Sequence, residues 1–236
     1  MGSRAWSSVK SGGSVEGQVR RALSYLSRPD FSIAIIWGCM LYFAFQASYE
    51  GLSYIFGPLE RFDVVFRSKY AANIVLVRTH AVASATALSL GLFAFVQQTR
   101  KLRVHAGIGR VYAAGVLVGG VTSLPMALMA EGGWTTRLSF FLQGSAWLLT
   151  LGCAVWFARK KRFQEHRRFM VRNYALTYSA VISRILLHGL QEAGLSFQEI
   201  YTVVSWTWVA GLAVGEWWLR YSAELRPRHR APALVE

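Results

Sequence analysis

The chain is short of acids and of cysteine. Twelve Asp and Glu stand against 26 Lys and Arg in 236 residues, and only 16% of residues are charged. Ordinary soluble domains carry about 25% charged residues, so composition argues against a water-exposed globular domain. Cysteine occurs twice, at Cys39 and Cys153, each inside an apolar run and without CxxC or Cys–His spacing. That pattern reads as two buried small hydrophobes rather than a disulfide or metal pair. Of five prolines only Pro125 falls deep in an apolar run, so the paired Gly/Pro interruptions of small transporters are missing. There is no GxSxG, P-loop, GxGxxG or HExxH, and nothing here decides whether the protein is an enzyme. No short apolar core with a small-residue cleavage site precedes the first long run, so a cleaved signal peptide is not expected.

What is present is apolar. Hydrophobic residues make up 53% of the chain and aromatics 14%, with a mean hydropathy of +0.30. Six segments approach the ~20 residues that a spanning helix requires: Phe31–Tyr49, Ala71–Gln97, Gly107–Ala130, Arg137–Ala158, Phe169–Leu190 and Phe197–Leu219. In hydrocarbon only helices and closed barrels satisfy their backbone groups, and the short alternating segments of a barrel are absent. The expected fold is an all-α integral membrane protein with six transmembrane helices, the second to the fifth forming a central four-helix bundle. Residues 1–30 read as a basic tail, with an amphipathic helix over Val15–Leu26 as one option; 31–222 form the membrane domain and 223–236 a second basic tail.

The net charge of +14 lies in blocks between these runs. Such blocks match anionic lipid head groups and leave no basic folded surface for nucleic acid. Positive connections (the N-terminal tail, 98–110, 159–172 and the C-terminal tail) alternate with connections poor in positive charge, which predicts N-in/C-in, both termini cytoplasmic. The long 53–70 connection reads as a plain connector or a short lid.

Candidate chemistry gathers on the segment Glu165–Leu190. As one helix it rises ~33 Å between His166 and His188. Asn173, Thr177, Arg184 and His188 share one of its faces, which should point into the bundle. Four histidines pair by depth: His105 with His166 at the cytoplasmic side, and His80 with His188 in the outer half. Facing helices that each offer one imidazole suit b-type haem, and two stacked haems need one pair near each face. His80 falls ~13 Å inside the outer boundary and His188 near it, so a shared haem requires offset helices. Interfacial histidines in head-group contact are the alternative. Arg110, Arg172 and Arg184 are candidate partners for haem propionates, a quinone or another anionic head group. Glu50 or Glu192 is an alternative partner for Arg184, and Glu216 is spaced to pair with Arg220. HAGIGRVY and HRRFMVRNY echo one another, each with an arginine after the histidine and a tyrosine two later.

RTHAVAS, HAGIGRVYAAGVLVGG and EHRRFMVRNYALTYSAVISRI, spread over residues 75–190, resemble the hallmark segments of a bacterial family of predicted membrane proteins of unknown function. His80, His105, Gly109, Arg110, Tyr112, His166, Arg172, Tyr174 and Arg184 are among the positions that match; His188 lies outside the pattern. The resemblance implies a fold, a site and the bacterial inner membrane, but no reaction. The architecture is also similar, more loosely, to two-haem transmembrane cytochromes of the ferric-reductase kind. Together these imply haem b with quinone as a further partner, and electron transport across or within the bilayer. The competing expectation is a non-enzymatic accessory or assembly subunit that binds lipid, quinone or the helices of other membrane subunits.

Overall fold

Every regular element among the described residues is a helix, as a chain with this much apolar backbone to satisfy demands. The computed structural model describes residues 29–62, 64–95 and 104–224, so both tails, the Val15–Leu26 segment and much of the 98–110 connection lie outside it. The helices are α1 (Pro29–Phe56), α2 (Val64–Ala72), α3 (Ile74–Gly91), α4 (Val104–Leu128), α5 (Gly133–Arg159), α6 (Phe163–Glu192), α7 (Phe197–Ser205) and α8 (Thr207–Glu224). Short 3-10 turns at Leu59–Arg61 and Leu92–Phe95 complete them. Two compact units divide at Tyr42, part-way along α1; the described part of the first is only the opening of that helix. The rest of this account concerns the second, from Phe43 onward.

Among the described residues three helical stretches are long and apolar enough to cross a membrane: Ile74–Phe95, Val104–Leu128 and Gly133–Arg159. At 30 residues α6 is longer, ~45 Å, but its first turns carry Glu165, Arg167, Arg168 and Arg172. The helices α3, α4, α5 and α6 pack in sequence order, α6 closes back on α3, and α7 and α8 lie against α6. Small residues set the close approaches. Gly115 of α4 lies against Ala83 and Ala87 of α3, and Gly144 of α5 against Ser123 of α4. Ala175 of α6 faces Gly211 and Gly215 of α8. All neighbours in this series run antiparallel. The arginine-rich starts of α4 and α6 and the end of α5 therefore share one end of the bundle, called here the basic end.

From α1, Ser48 Oγ reaches Ser89 Oγ at 3.0 Å. Hydrogen bonds between helices in membranes average ~0.6 kcal/mol. Ser48→Ala, which leaves the helix itself intact, is therefore expected to lower the melting temperature in detergent by roughly 1–3 °C. Thermal unfolding of the purified variant checks this.

Two features depart from the apolar pattern. The 53–70 connection is folded: Phe62 is T-shaped on Tyr54 and Tyr70, and Phe66 meets Tyr70, Phe197 and Tyr201 with centroids within 5.4 Å. An ion pair of Lys69 with Glu131 ties this cap to the turn between α4 and α5. Burial there pushes the Tyr70 hydroxyl up to about 12, so it stays neutral. Second, the run Phe197–Leu219 is not one helix but breaks at Trp206. Ser and Thr beside the break compete for backbone groups, and Ser205 Oγ and Thr207 Oγ1 donate to Thr202 O and Val204 O. The freed Ser205 carbonyl accepts from Ser139 Oγ of α5 at 2.8 Å. Ser183 Oγ of α6 meets Thr207 Oγ1 at 2.6 Å. The carbonyls of Thr202, Val204 and Ser205 so find side-chain partners, as a break at membrane depth requires.

Candidate functional site

The bundle interior is polar at its centre, and α6 supplies most of the groups. Asn173 and Thr177, one turn apart, are buried and face inward. Across the bundle Tyr112 of α4, with no exposed surface, donates its hydroxyl to Asn173 Oδ1 at 2.7 Å and sits 3.1 Å from Thr177 Oγ1. The Asn173 amide donates to Trp147 O and Thr150 Oγ1 of α5, and the Trp147 indole to Thr177 Oγ1 at 2.8 Å. Tyr174 reaches the third neighbour, donating to Leu88 O of α3 at 2.9 Å. Four helices are thus joined through two adjacent residues of α6. The spacing alone puts Asn173 and Thr177 on the inner face; Tyr112, Trp147 and Thr150 as their partners were missed. A tyrosine seven residues after His105, matching an asparagine seven after His166, is the signal that was available.

That register fixes the basic end. His105 and His166 each lie seven residues, about two turns, before a member of the Tyr112–Asn173 bond, on the same helix faces and at the same level. His166 Nδ1 lies 2.8 Å from Ala154 O of α5. A carbonyl only accepts, so Nδ1 carries the proton, and in the neutral ring Nε2 keeps its lone pair. A carbonyl on one ring nitrogen fixes the ring's orientation and leaves the other nitrogen free to bind. One imidazole on each of α4 and α6 therefore stands at this level, two turns from a centre filled by Tyr112, Trp147, Asn173 and Thr177; if a haem were bound here, His105 and His166 are the residues that would hold it. Arg110 is not brought to this pair: it lies about 140° around α4 from His105 and is exposed. Arg172 is in an ion pair with Glu216 of α8, which therefore does not depend on Arg220 for a partner. Just outside, hydrogen bonds from Arg162 hold the Glu165 carboxyl below the usual carboxylate range.

In the other half, His80 of α3 turns to α4. Its Nδ1 donates to Gly119 O at 2.9 Å, with Thr122 Oγ1 at 3.3 Å, and Ser84 Oγ lies 3.3 Å from Nε2. Arg184 donates to Ala180 O of its own helix and lies against Gly51, where a Cβ would come within 2.8 Å of Nη2. It is within electrostatic reach of both His80 and Glu50. His188, 63% exposed at its side chain, sits 3.9 Å from Glu50. The structure therefore groups Glu50, His80, Arg184 and His188 loosely, with the two imidazoles turned to different partners. Among the described residues no three His, Cys, Asp or Glu are placed to hold a metal ion by themselves.

With this geometry in view, residues 77–219 match the profile of a family described as Predicted membrane protein (DUF2306). The chain belongs to that family. No curated protein and no solved structure matches it. Membership in DUF2306 and the apolar helices establish an integral membrane protein. The matched stretch contains the Tyr112–Asn173 network, all four membrane histidines and the break at Trp206.

Proposed function

We propose that this DUF2306 member is a b-type-cytochrome-like carrier that moves electrons within or across the bacterial inner membrane. In this reading the chain crosses six times, with the basic end and both termini cytoplasmic. The broken α7–α8 segment is the sixth crossing. His105 and His166 hold an inner haem, and His80, Arg184 and His188 engage a second haem or a quinone in the outer half. A bound haem would supply a one-electron couple whose potential the ligands and burial set. The single observation that carries this is the register of α4 against α6, which levels His105 with His166, His166 being oriented by the Ala154 carbonyl.

One observation favours a second reading. Arg172 is already paired with Glu216, and His188 sits beside Glu50, so two groups the first reading would use have internal partners. An accessory or assembly subunit, its interior purely structural and its surface turned to other membrane subunits, accounts for that.

The test is spectroscopic. Protein purified from haem-sufficient cells is expected to show a Soret band that shifts on dithionite reduction. A His105→Ala/His166→Ala double variant that elutes as a single folded species should lose most of the inner-site absorbance. A colourless, stable wild-type preparation would overturn the electron-carrier reading and leave the accessory one.

A further inference from the structure

On the side of α4 and α5 turned away from the bundle interior lies an apolar groove of about 570 Å³, within the size range of sites for small amphiphiles. Leu117 and Val121 form one wall and Leu148 and Val155 the other. Gly152 leaves the space open: a Cβ built there would meet no atom within 4 Å. Trp156, 51% exposed, and Arg159 stand at one end.

That end is the basic one, and it holds a second arginine. Gly120 packs against Leu148 and Ser123 against Gly144. Continued along the two antiparallel helices, this register levels Arg110 with Arg159 to within a turn. Arg110 lies seven residues before Leu117, and Arg159 seven after Gly152, so each extends its own wall of the groove. Both are exposed. Neither makes a hydrogen bond, ion pair or ring contact with another described residue, in contrast to Arg137, Arg162 and Arg172. Neither α4 nor α5 contains a single Asp or Glu, so neither helix supplies an acid to neutralise them.

We infer that the groove is a site for one anionic phospholipid of the surrounding bilayer. An acyl chain lies along Leu117, Gly152 and Val155, and the phosphate is held between Arg110 and Arg159. Two guanidiniums at the head-group level, an aromatic anchor beside them and an apolar channel behind them match the three parts of such a molecule. A zwitterionic phospholipid would bring its ammonium into the same pair of positive charges, so net negative charge is what the site selects. The inference stands apart from the cofactor reading, because the histidines face the opposite side of α4.

The experiment is native mass spectrometry of the full chain in detergent, titrated with phosphatidylglycerol or with phosphatidylcholine of the same chains. Wild type is expected to retain one phosphatidylglycerol in preference to phosphatidylcholine. Arg110→Gln/Arg159→Gln should weaken phosphatidylglycerol roughly thirty-fold, towards the phosphatidylcholine level, at about one basic side chain's worth of attraction each. Gly152→Leu, whose Cβ meets no atom within 4 Å and whose side chain takes up groove space, should reduce retention of the bound lipid while the gel-filtration profile stays unchanged. Equal retention of the two lipids by wild type would overturn the inference. So would unchanged phosphatidylglycerol binding in both variants.

Discussion

Asn173→Leu is expected to cost roughly 2–5 kcal/mol of stability, from three buried interhelical hydrogen bonds at about 0.6–1.7 kcal/mol each in a membrane protein. The side chain has no exposed surface. Its amide bonds Tyr112 through Oδ1 and the α5 backbone through Nδ2. Leucine is close in volume but leaves Trp147 O and Thr150 Oγ1 with one partner fewer, and buried polar groups stripped of partners are costly. Thr177 keeps the Trp147 indole and lies 3.1 Å from the Tyr112 hydroxyl, whose proton the substitution frees for it, so the bundle should loosen rather than fail to assemble. Thermal unfolding in mild detergent should show a fall of the order of 5–15 °C. A shift under about 2 °C would mean that these bonds are replaced by water or remade. Asn173→Asp is the informative companion, since it keeps the acceptor for Tyr112 and removes both donors.

Gly115→Leu should be comparably damaging by the opposite mechanism. A Cβ at Gly115 would come within 2.9 Å of Ala83 O and 3.3 Å of Ala87 N. These are backbone atoms of α3 that cannot rotate aside. The substitution must push α3 from α4, and with it disturb the bond from His80 to Gly119 O one turn further along. Overpacking costs about 1–3 kcal/mol where neighbours can adjust, and more where they cannot. A loss of roughly 3 kcal/mol, read as a lowered melting temperature and reduced yield of monodisperse protein, is expected. Gly152→Leu on the next helix is the control: it adds the same volume to an open surface and should leave the melting temperature within about 1 °C.

Hydropathy made the central helices legible. The expected segments Gly107–Ala130 and Arg137–Ala158 are α4 (Val104–Leu128) and α5 (Gly133–Arg159), each off by a turn at most. The inward direction of Asn173 and Thr177 was legible as well, because a polar pair one turn apart in an apolar run has only one economical place to face. What hid from the sequence depended on partners from other helices. Ser205-Trp206-Thr207 scores as part of an apolar run, and only the hydroxyls of Ser139 and Ser183 make the break there affordable. The 53–70 stretch mixes charge and aromatics too evenly to announce a helix, yet Phe62 is buried against Tyr54 and Tyr70, and Phe66 against Phe197 and Tyr201 of α7, more than a hundred positions on. The echo between HAGIGRVY and HRRFMVRNY makes Arg172 a candidate propionate partner, whereas its neighbour across the α6–α8 contact is Glu216.

The seam at Trp206 gives the two pieces of the last segment separate allegiances. Above it, Thr202 and Tyr201 are fastened to Thr136, Phe140 and the aromatic cap. Below it, Gly211, Gly215 and Glu216 are fastened to α6 alone. Two short rods thus stand where one long one would, each following its own neighbours: α7 the aromatic cap and α5 as well as α6, α8 chiefly α6, with Ser183 bridging the joint between them.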